Sequence, residues 1–327
     1  MSLDMAFDDG QQAIADALAQ FCADRCDDDT VKALAGQAPG PLWRELAELG
    51  VLAAGAPGEE GGALEVCAAM EALGAAVFPG PLVGTFLALQ VLPAEERDAI
   101  ADGRCIVSAG RGPLMPFAPQ ADLFLEIAGE SVYRATPTGP VEAVETLGGE
   151  PWGRVALERG ELLPHAERGL ALSEMAAAAY LAAAGARLVA DAAEHARTRQ
   201  QFGHPIGEFQ AVAHPLADCQ IHLLASRELA RSAAYDFDCS DHSDCSDYSS
   251  ENEIPKFQNA ALIARLSARA SAVEATHVCH QVFGALGITT EGPAWHVSRR
   301  IRQLASQPPG PEVARERILG AIGLGLT

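Results

Sequence analysis

Apolar residues recur every three or four positions over most of the chain, and this helical period gives way to a shorter one only between residues 104 and 165. Asp8 and Asp9 stand ahead of an apolar-periodic run through Phe21 and can cap its N-terminus, and Leu42 to Leu49 forms a second amphipathic segment. Pro57-Gly58-Glu59-Glu60-Gly61-Gly62 is a turn-rich loop. Pro79-Gly80-Pro81 separates a helix ending near Ala76 from one around Phe86, and Pro93 opens another. From Cys105 the runs become short and strand-like: Cys105 to Ser108, Leu123 to Ile127, Val132 to Arg134 and Arg154 to Leu157, separated by Gly and Pro. From Ala166 the pattern is helical again, with long stretches near 167–197, 208–235 and 256–284 and shorter ones near 293–305 and 311–320. That spacing suits an antiparallel bundle. The expected fold is mainly α, with a helical N-terminal domain (1–103), a small β domain (104–165) and a C-terminal antiparallel helix bundle (166–327).

Composition sharpens this reading. A chain of 327 residues with 49% hydrophobic content can bury a large core, and an aromatic share of only 6% favours close-packed helices over a β-sandwich. The net charge of −21 repels a phosphate backbone and excludes general nucleic-acid binding, so an anionic ligand needs a local basic pocket. Eight scattered cysteines and the lack of a charged-then-apolar leader fit reduced thiols in a cytoplasm. No membrane span is expected, because the alanine-rich stretch after Met175 is broken by Arg187 and Asp191. Asp236 to Glu253 is acidic, with repeated Ser-Asp pairs, and reads as a mobile loop. Its Cys239, His242 and Cys245 fall short of a closed zinc tetrad, so no metal site is expected.

Two stretches carry chemistry. Arg197-Thr198-Arg199-Gln200-Gln201-Phe202-Gly203-His204-Pro205-Ile206-Gly207-Glu208-Phe209-Gln210 places Arg199 at the end of a long helix, Gly203 and Pro205 at the break, and Gln210 at the next helix start. Such a junction can aim a guanidinium and unpaired helix-start amides at phosphate oxygens, although an ordinary Arg salt bridge at a helix turn fits as well. Further on, His280-Gln281-Val282-Phe283-Gly284-Ala285-Leu286-Gly287-Ile288-Thr289-Thr290-Glu291-Gly292-Pro293 supplies glycines that let a backbone approach a ligand and a glutamine that both donates and accepts.

The first stretch resembles the Arg-x-x-Phe-Gly signature of the acyl-CoA dehydrogenase family, and the second its Gln-x-x-Gly-Gly-x-Gly and Thr-Glu-x-Pro turns, with Ala285 in place of the usual second glycine. The resemblance extends over nearly the whole chain. It implies an FAD-dependent oxidoreductase that dehydrogenates an acyl-CoA thioester at the α and β carbons and passes electrons to an electron-transfer flavoprotein. It also implies that Arg199, Gln201, Phe202, Gln210, Gln281 and Gly284 hold the ADP half of an FAD lying mainly in a neighbouring subunit. Two family features are missing. Neither the Thr-Glu-Pro-x-x-Gly-Ser-Asp stretch nor the Trp-Ile-Thr-Asn strand that cradle the flavin ring occurs between Cys105 and Glu161, and the β unit is short for the family. The place of the family's base, counted on from Glu291, is Pro308, which cannot abstract a proton. Some relatives put the base on the preceding long helix, where the count back from Phe202 reaches Ser173, beside Glu174. Glu174 is thus a weak candidate, since a glutamate near a helix start commonly just favours the helix dipole. Three readings follow. The chain lends ADP-binding residues to a full-length dehydrogenase in a hetero-oligomer, as short relatives acting on bulky acyl-CoAs such as steroid side chains do. It is a self-sufficient homomer using Glu174 or another base. Or it is a flavin-free interaction protein of the same fold.

Overall fold

The computed structural model describes residues 6–37, 39–240 and 256–324. Six helices come first: α1 (Asp9–Arg25), α2 (Asp28–Ala33), α3 (Pro41–Glu48), α4 (Ala63–Ala75), α5 (Leu82–Val91) and α6 (Ala94–Ala101). Seven strands follow: β1 (Val107–Gly110), β2 (Leu114–Pro116), β3 (Leu123–Ala128), β4 (Ser131–Pro137), β5 (Glu142–Val144), β6 (Trp152–Arg154) and β7 (Leu157–Leu162). Then come α7 (Ala166–Thr198), the two-residue strands β8 (Gln200–Gln201) and β9 (His204–Pro205), α8 (Gln210–Cys239), α9 (Lys256–Phe283), α10 (Ala294–Ser306) and α11 (Pro311–Ala321).

Local chemistry accounts for several boundaries. Asp8 accepts from Gln11 N at 2.8 Å while the Gln11 side chain accepts from Asp8 N at 3.1 Å, a reciprocal cap that starts α1. α4 is capped from across the molecule: Gly62 has no side chain, and the Asp238 carboxylate accepts from Ala63 N at 2.7 Å and Leu64 N at 3.1 Å. A Cβ on Gly62 would lie 2.4 Å from Asp238 Oδ1, so any side chain there would displace the capping carboxylate. This contact also explains why α8 runs through Cys239 and past the Asp236 expected to begin a loop. Phe237 is buried edge-to-face against Phe257 at 5.2 Å, which ties the last turn of α8 to α9. Residues 241–253 of the expected loop, with His242 and Cys245, lie outside the described residues.

One core unites α1, α3 and α4 with α7–α10, from Leu18, Trp43 and Met70 to Leu223, Ala264 and Ile301. α7 is long and apolar enough to cross a membrane by length and composition, but 78% of its apolar window is buried inside the molecule, so protein neighbours cover it. The strands form a four-stranded sheet, β1-β3-β4-β7, and a three-stranded one, β2-β6-β5. β1 pairs with β3 in parallel and the other pairings are antiparallel. The run Arg154 to Leu157, expected as one strand, belongs to two: β6 ends at Arg154, and β7 begins at Leu157 in the other sheet. Gly84, where an added Cβ would meet Ala109 Cβ at 3.3 Å, brings α5 close to β1. Beside that contact a pocket opens between the strands and the bundle.

Candidate functional site

The two motif stretches meet at one end of the bundle. Arg199 follows α7 directly, and four residues earlier the His195 ring packs 5.2 Å from Phe283, the last residue of α9, next to Gly284. Between α7 and α8 the chain makes a small hairpin in which Gln201 pairs with His204 across Phe202 (φ 54°) and Gly203 (φ 84°). A turn with two positive φ values matches the twist of its strands, but for a phenylalanine it is strained. Phe202 is 92% exposed and meets Phe209 edge-on, at 6.2 Å. Gln210 opens α8 behind Phe209, whose side chain makes no cap hydrogen bond. Arg199, Gln201, Phe202, Gln210, Gln281 and Gly284 are all exposed. The polar ends of Arg199, Gln210 and Gln281 have no partner among the described residues, whereas Gln201 donates to the Gln200 carbonyl at 2.6 Å. Gly284 has φ +59°, and a Cβ there would meet nothing within 4 Å. This face combines free donors, an uncapped helix start and an exposed ring, which suits an adenine-and-phosphate ligand covered from the other side.

The second site is the pocket of about 380 Å³ between α5, the β1–β2 segment, α7, α9 and the chain after α10. It includes the place where the family base is expected, since Pro308 and Pro309 line it. Glu174 lines it too, together with Ser173. Glu174 does not sit at the helix start: it lies more than two turns into α7, with its side chain 13% exposed and Oε2 3.2 Å from Arg265 Nε. Oε1 has no protein partner among the described residues. Burial pushes the Glu174 carboxyl up, against the pull of Arg265, Arg111 and Arg317. Arg265 donates Nη2 to the Leu304 carbonyl at 2.6 Å, and its buried Nη1 has no acceptor. A second buried carboxylate in the wall, Glu150, is held by Arg300 and by Trp152 Nε1 at 2.8 Å. Tyr180 extends this network, donating to the Phe78 carbonyl at 3.0 Å and accepting from Arg300 Nε at 3.2 Å. Sequence reasoning missed Arg111, Glu150, Trp152, Tyr180, Arg265 and Arg300. No local pattern marks them, because they reach the pocket from separate elements. Among the described residues no group of three or more His, Cys, Asp or Glu could hold a metal ion.

Known families match the chain over most of its length. The family model "Acyl-CoA dehydrogenase, N-terminal domain" matches residues 8–92, and "Acyl-CoA dehydrogenase, C-terminal domain" matches residues 163–311. The chain is 32% identical over 211 residues to the acyl-CoA dehydrogenase IpdE2 of Mycobacterium tuberculosis, a match covering 59% of this chain and 65% of that protein, just under two thirds of its length. In fold it resembles a chain of the ChsE4-ChsE5 complex from Mycobacterium tuberculosis, with TM-score 0.80, 21% identity, and coverage of 99% of this chain and 100% of that one. It also resembles butyryl-CoA dehydrogenase from Megasphaera elsdenii, with TM-score 0.77, 19% identity, and coverage of 98% and 100%.

Proposed function

The chain belongs to the acyl-CoA dehydrogenase family, and from that premise we propose that it serves as a subunit of a flavin-dependent acyl-CoA dehydrogenase, lending the ADP-holding half of an FAD site to a full-length partner. The observation that carries this reading is the exposed end of the bundle: Arg199, Gln210 and Gln281 converge there with uncommitted polar ends, beside Phe202 at 92% exposure and Ile288 at 73%. Arginine and glutamine ends that no protein group engages, next to a nearly fully exposed aromatic ring, supply the phosphate-binding fork and the stacking face that an adenine nucleotide takes. Bound FAD supplies the hydride acceptor for α,β-dehydrogenation of an acyl thioester. This chain's own part is to offer the Arg199 fork to phosphate oxygens, the start of α8 to the same anion, and the open backbone at Gly284 to the adenosine. The full coverage of a ChsE4-ChsE5 chain supports a partner of the same fold, and the IpdE2 match supports acyl-CoA as the substrate.

The test is flavin content. Purified alone, the chain should retain little FAD by absorbance near 450 nm; co-expressed with a full-length relative, it should form a stoichiometrically yellow hetero-oligomer. Arg199→Ala in that assembly removes a charge-assisted contact of about 1.5 to 3 kcal/mol and should weaken flavin retention roughly ten- to hundred-fold. Undiminished retention would refute the assignment.

A second reading, a self-sufficient dehydrogenase, is favoured by Glu174. Burial raises the pKa of its carboxyl, which strengthens the ionised form as a base, and Oε1, without a partner among the described residues, faces a substrate α proton on this reading while Arg265 holds Oε2. On this reading a homomer is yellow and active, and Glu174→Gln lowers turnover about 10²- to 10⁴-fold with FAD content unchanged. If turnover survives that substitution, Glu174 is not the base.

A further inference from the structure

The charges lining the pocket do not all cancel. Glu174 is matched by Arg265 and Glu150 by Arg300. Arg111, on the segment between β1 and β2, is left over. Its Nη2 donates to the Gly129 carbonyl at 3.1 Å, and among the described residues no carboxylate stands within ion-pair distance of it. Arg317, from α11 near the other end of the chain, donates Nη2 to that same carbonyl at 3.3 Å; its nearest carboxylate, the exposed Glu130, lies 3.9 Å from Nε. Two guanidinium groups thus converge on one neutral oxygen, an arrangement that repels itself unless an anion joins it. Acids outnumber bases 44 to 23 over the chain, yet among the described residues the exposed Glu130, beside Arg317, is the one carboxylate within ion-pair distance of this pair. Burial, then the neighbouring Arg317, hold Arg111 below the usual guanidinium range against the raising effect of Glu174 in the same pocket. The buried Arg265 Nη1, also without an acceptor, stands in the wall of the same pocket.

Resting on the reading that this pocket receives an acyl thioester, we propose that Arg111, backed by Arg317, is a carboxylate-binding subsite and that the acyl group bears a carboxylate remote from its thioester carbonyl. A planar guanidinium fork matches a carboxylate in two-point geometry. The choice of carboxylate over phosphate follows from size: Arg111 and Glu174 line one cavity of about 380 Å³, which suits an acyl group, whereas the phosphates of coenzyme A lie a whole pantetheine arm away from the thioester.

The full chain, alone and in its yellow assembly, is titrated calorimetrically with glutaryl-CoA, pentanoyl-CoA, coenzyme A and free glutarate. The expected result is that glutaryl-CoA binds at least about ten-fold tighter than pentanoyl-CoA, and that the preference falls below about three-fold in Arg111→Gln with Arg317→Gln and is partly regained in Arg111→Lys, with circular dichroism confirming that each variant is folded. Equal binding of the two thioesters by the unaltered protein overturns the proposal, as does a preference that survives the double substitution. Binding that depends on Arg111 but is equal for coenzyme A and both thioesters makes phosphate the ligand and also overturns it. Arg111-dependent binding of glutarate with no affinity for any thioester upholds the carboxylate subsite and instead sinks the dehydrogenase reading on which the substrate assignment rests.

Discussion

Asp28 shows how one side chain can tie distant segments together. From the first turn of α2 its carboxylate stands 3.1 Å from His296 Nε2 on α10 and 2.9 Å from Arg187 Nη2 on α7. The His296 ring beside it, then Arg187, hold its carboxyl far below the usual carboxylate range against the opposing effect of burial. A depressed carboxyl stabilises the fold at every pH above its unfolded value, near 4, and loses that contribution as pH falls towards its folded value. Asp28→Asn should therefore cost about 1 kcal/mol at pH 7, a figure reduced because the side chain is 37% exposed, and the gap to the unaltered protein should narrow below about pH 4. Urea melts at pH 7 and pH 3 with the same gap would disprove this. Nothing in the sequence around Asp28 marks it among Asp27, Asp28 and Asp29, since its partners lie more than 150 positions away. The junction between α7 and α8 was legible because its turn is local: the order of Arg199, Phe202, Gly203 and Gln210 dictates a helix end, a tight turn and a helix start. Glu174 was reached only by counting, and its burial among Arg265, Ser173 and Leu170 emerges only once α7 and α9 pack.

At the scale of elements, the long helices were legible and the small strands were not. α7, α8 and α9 run for 33, 30 and 28 residues, so several helical periods accumulate and their ends fall close to expectation. β2 and β5 have three residues each, too few for an alternation to register, and α2, six residues with none buried, has no apolar face to reveal it. The close approach of α4 to α7 rests on Gly74, where an added Cβ would lie 2.5 Å from the Tyr180 carbonyl oxygen and 2.8 Å from its Cα. These are backbone atoms that no rotamer change can move aside. Gly74→Ala should accordingly destabilise the fold by about 1 to 3 kcal/mol through overpacking, even though alanine is the better helix former. A thermal midpoint equal to or above that of the unaltered protein would show that the two helices separate at little cost.

Across the whole molecule, the β stretch has a small core of its own around Met115, Phe124 and Val155, but the N-terminal helices and the bundle share one. Leu18, Trp43 and Met70 share their cluster with Leu188, Leu223 and Ile301 from the bundle, so the first 103 residues alone would lose most of the surface that buries them. That fragment should show no cooperative unfolding transition by circular dichroism; a sharp one would establish it as an independent folding unit. The same interdependence shows in miniature where Asp238 grips the first amides of α4. Helix beginnings ordinarily fray, opening and closing on their own without regard to the rest of a protein. At Ala63 and Leu64 that freedom is gone, since these amides can exchange with solvent only when the far end of α8 lets go. The quietest reporter of whether the bundle is seated on the N-terminal helices is thus a pair of backbone protons in neither motif.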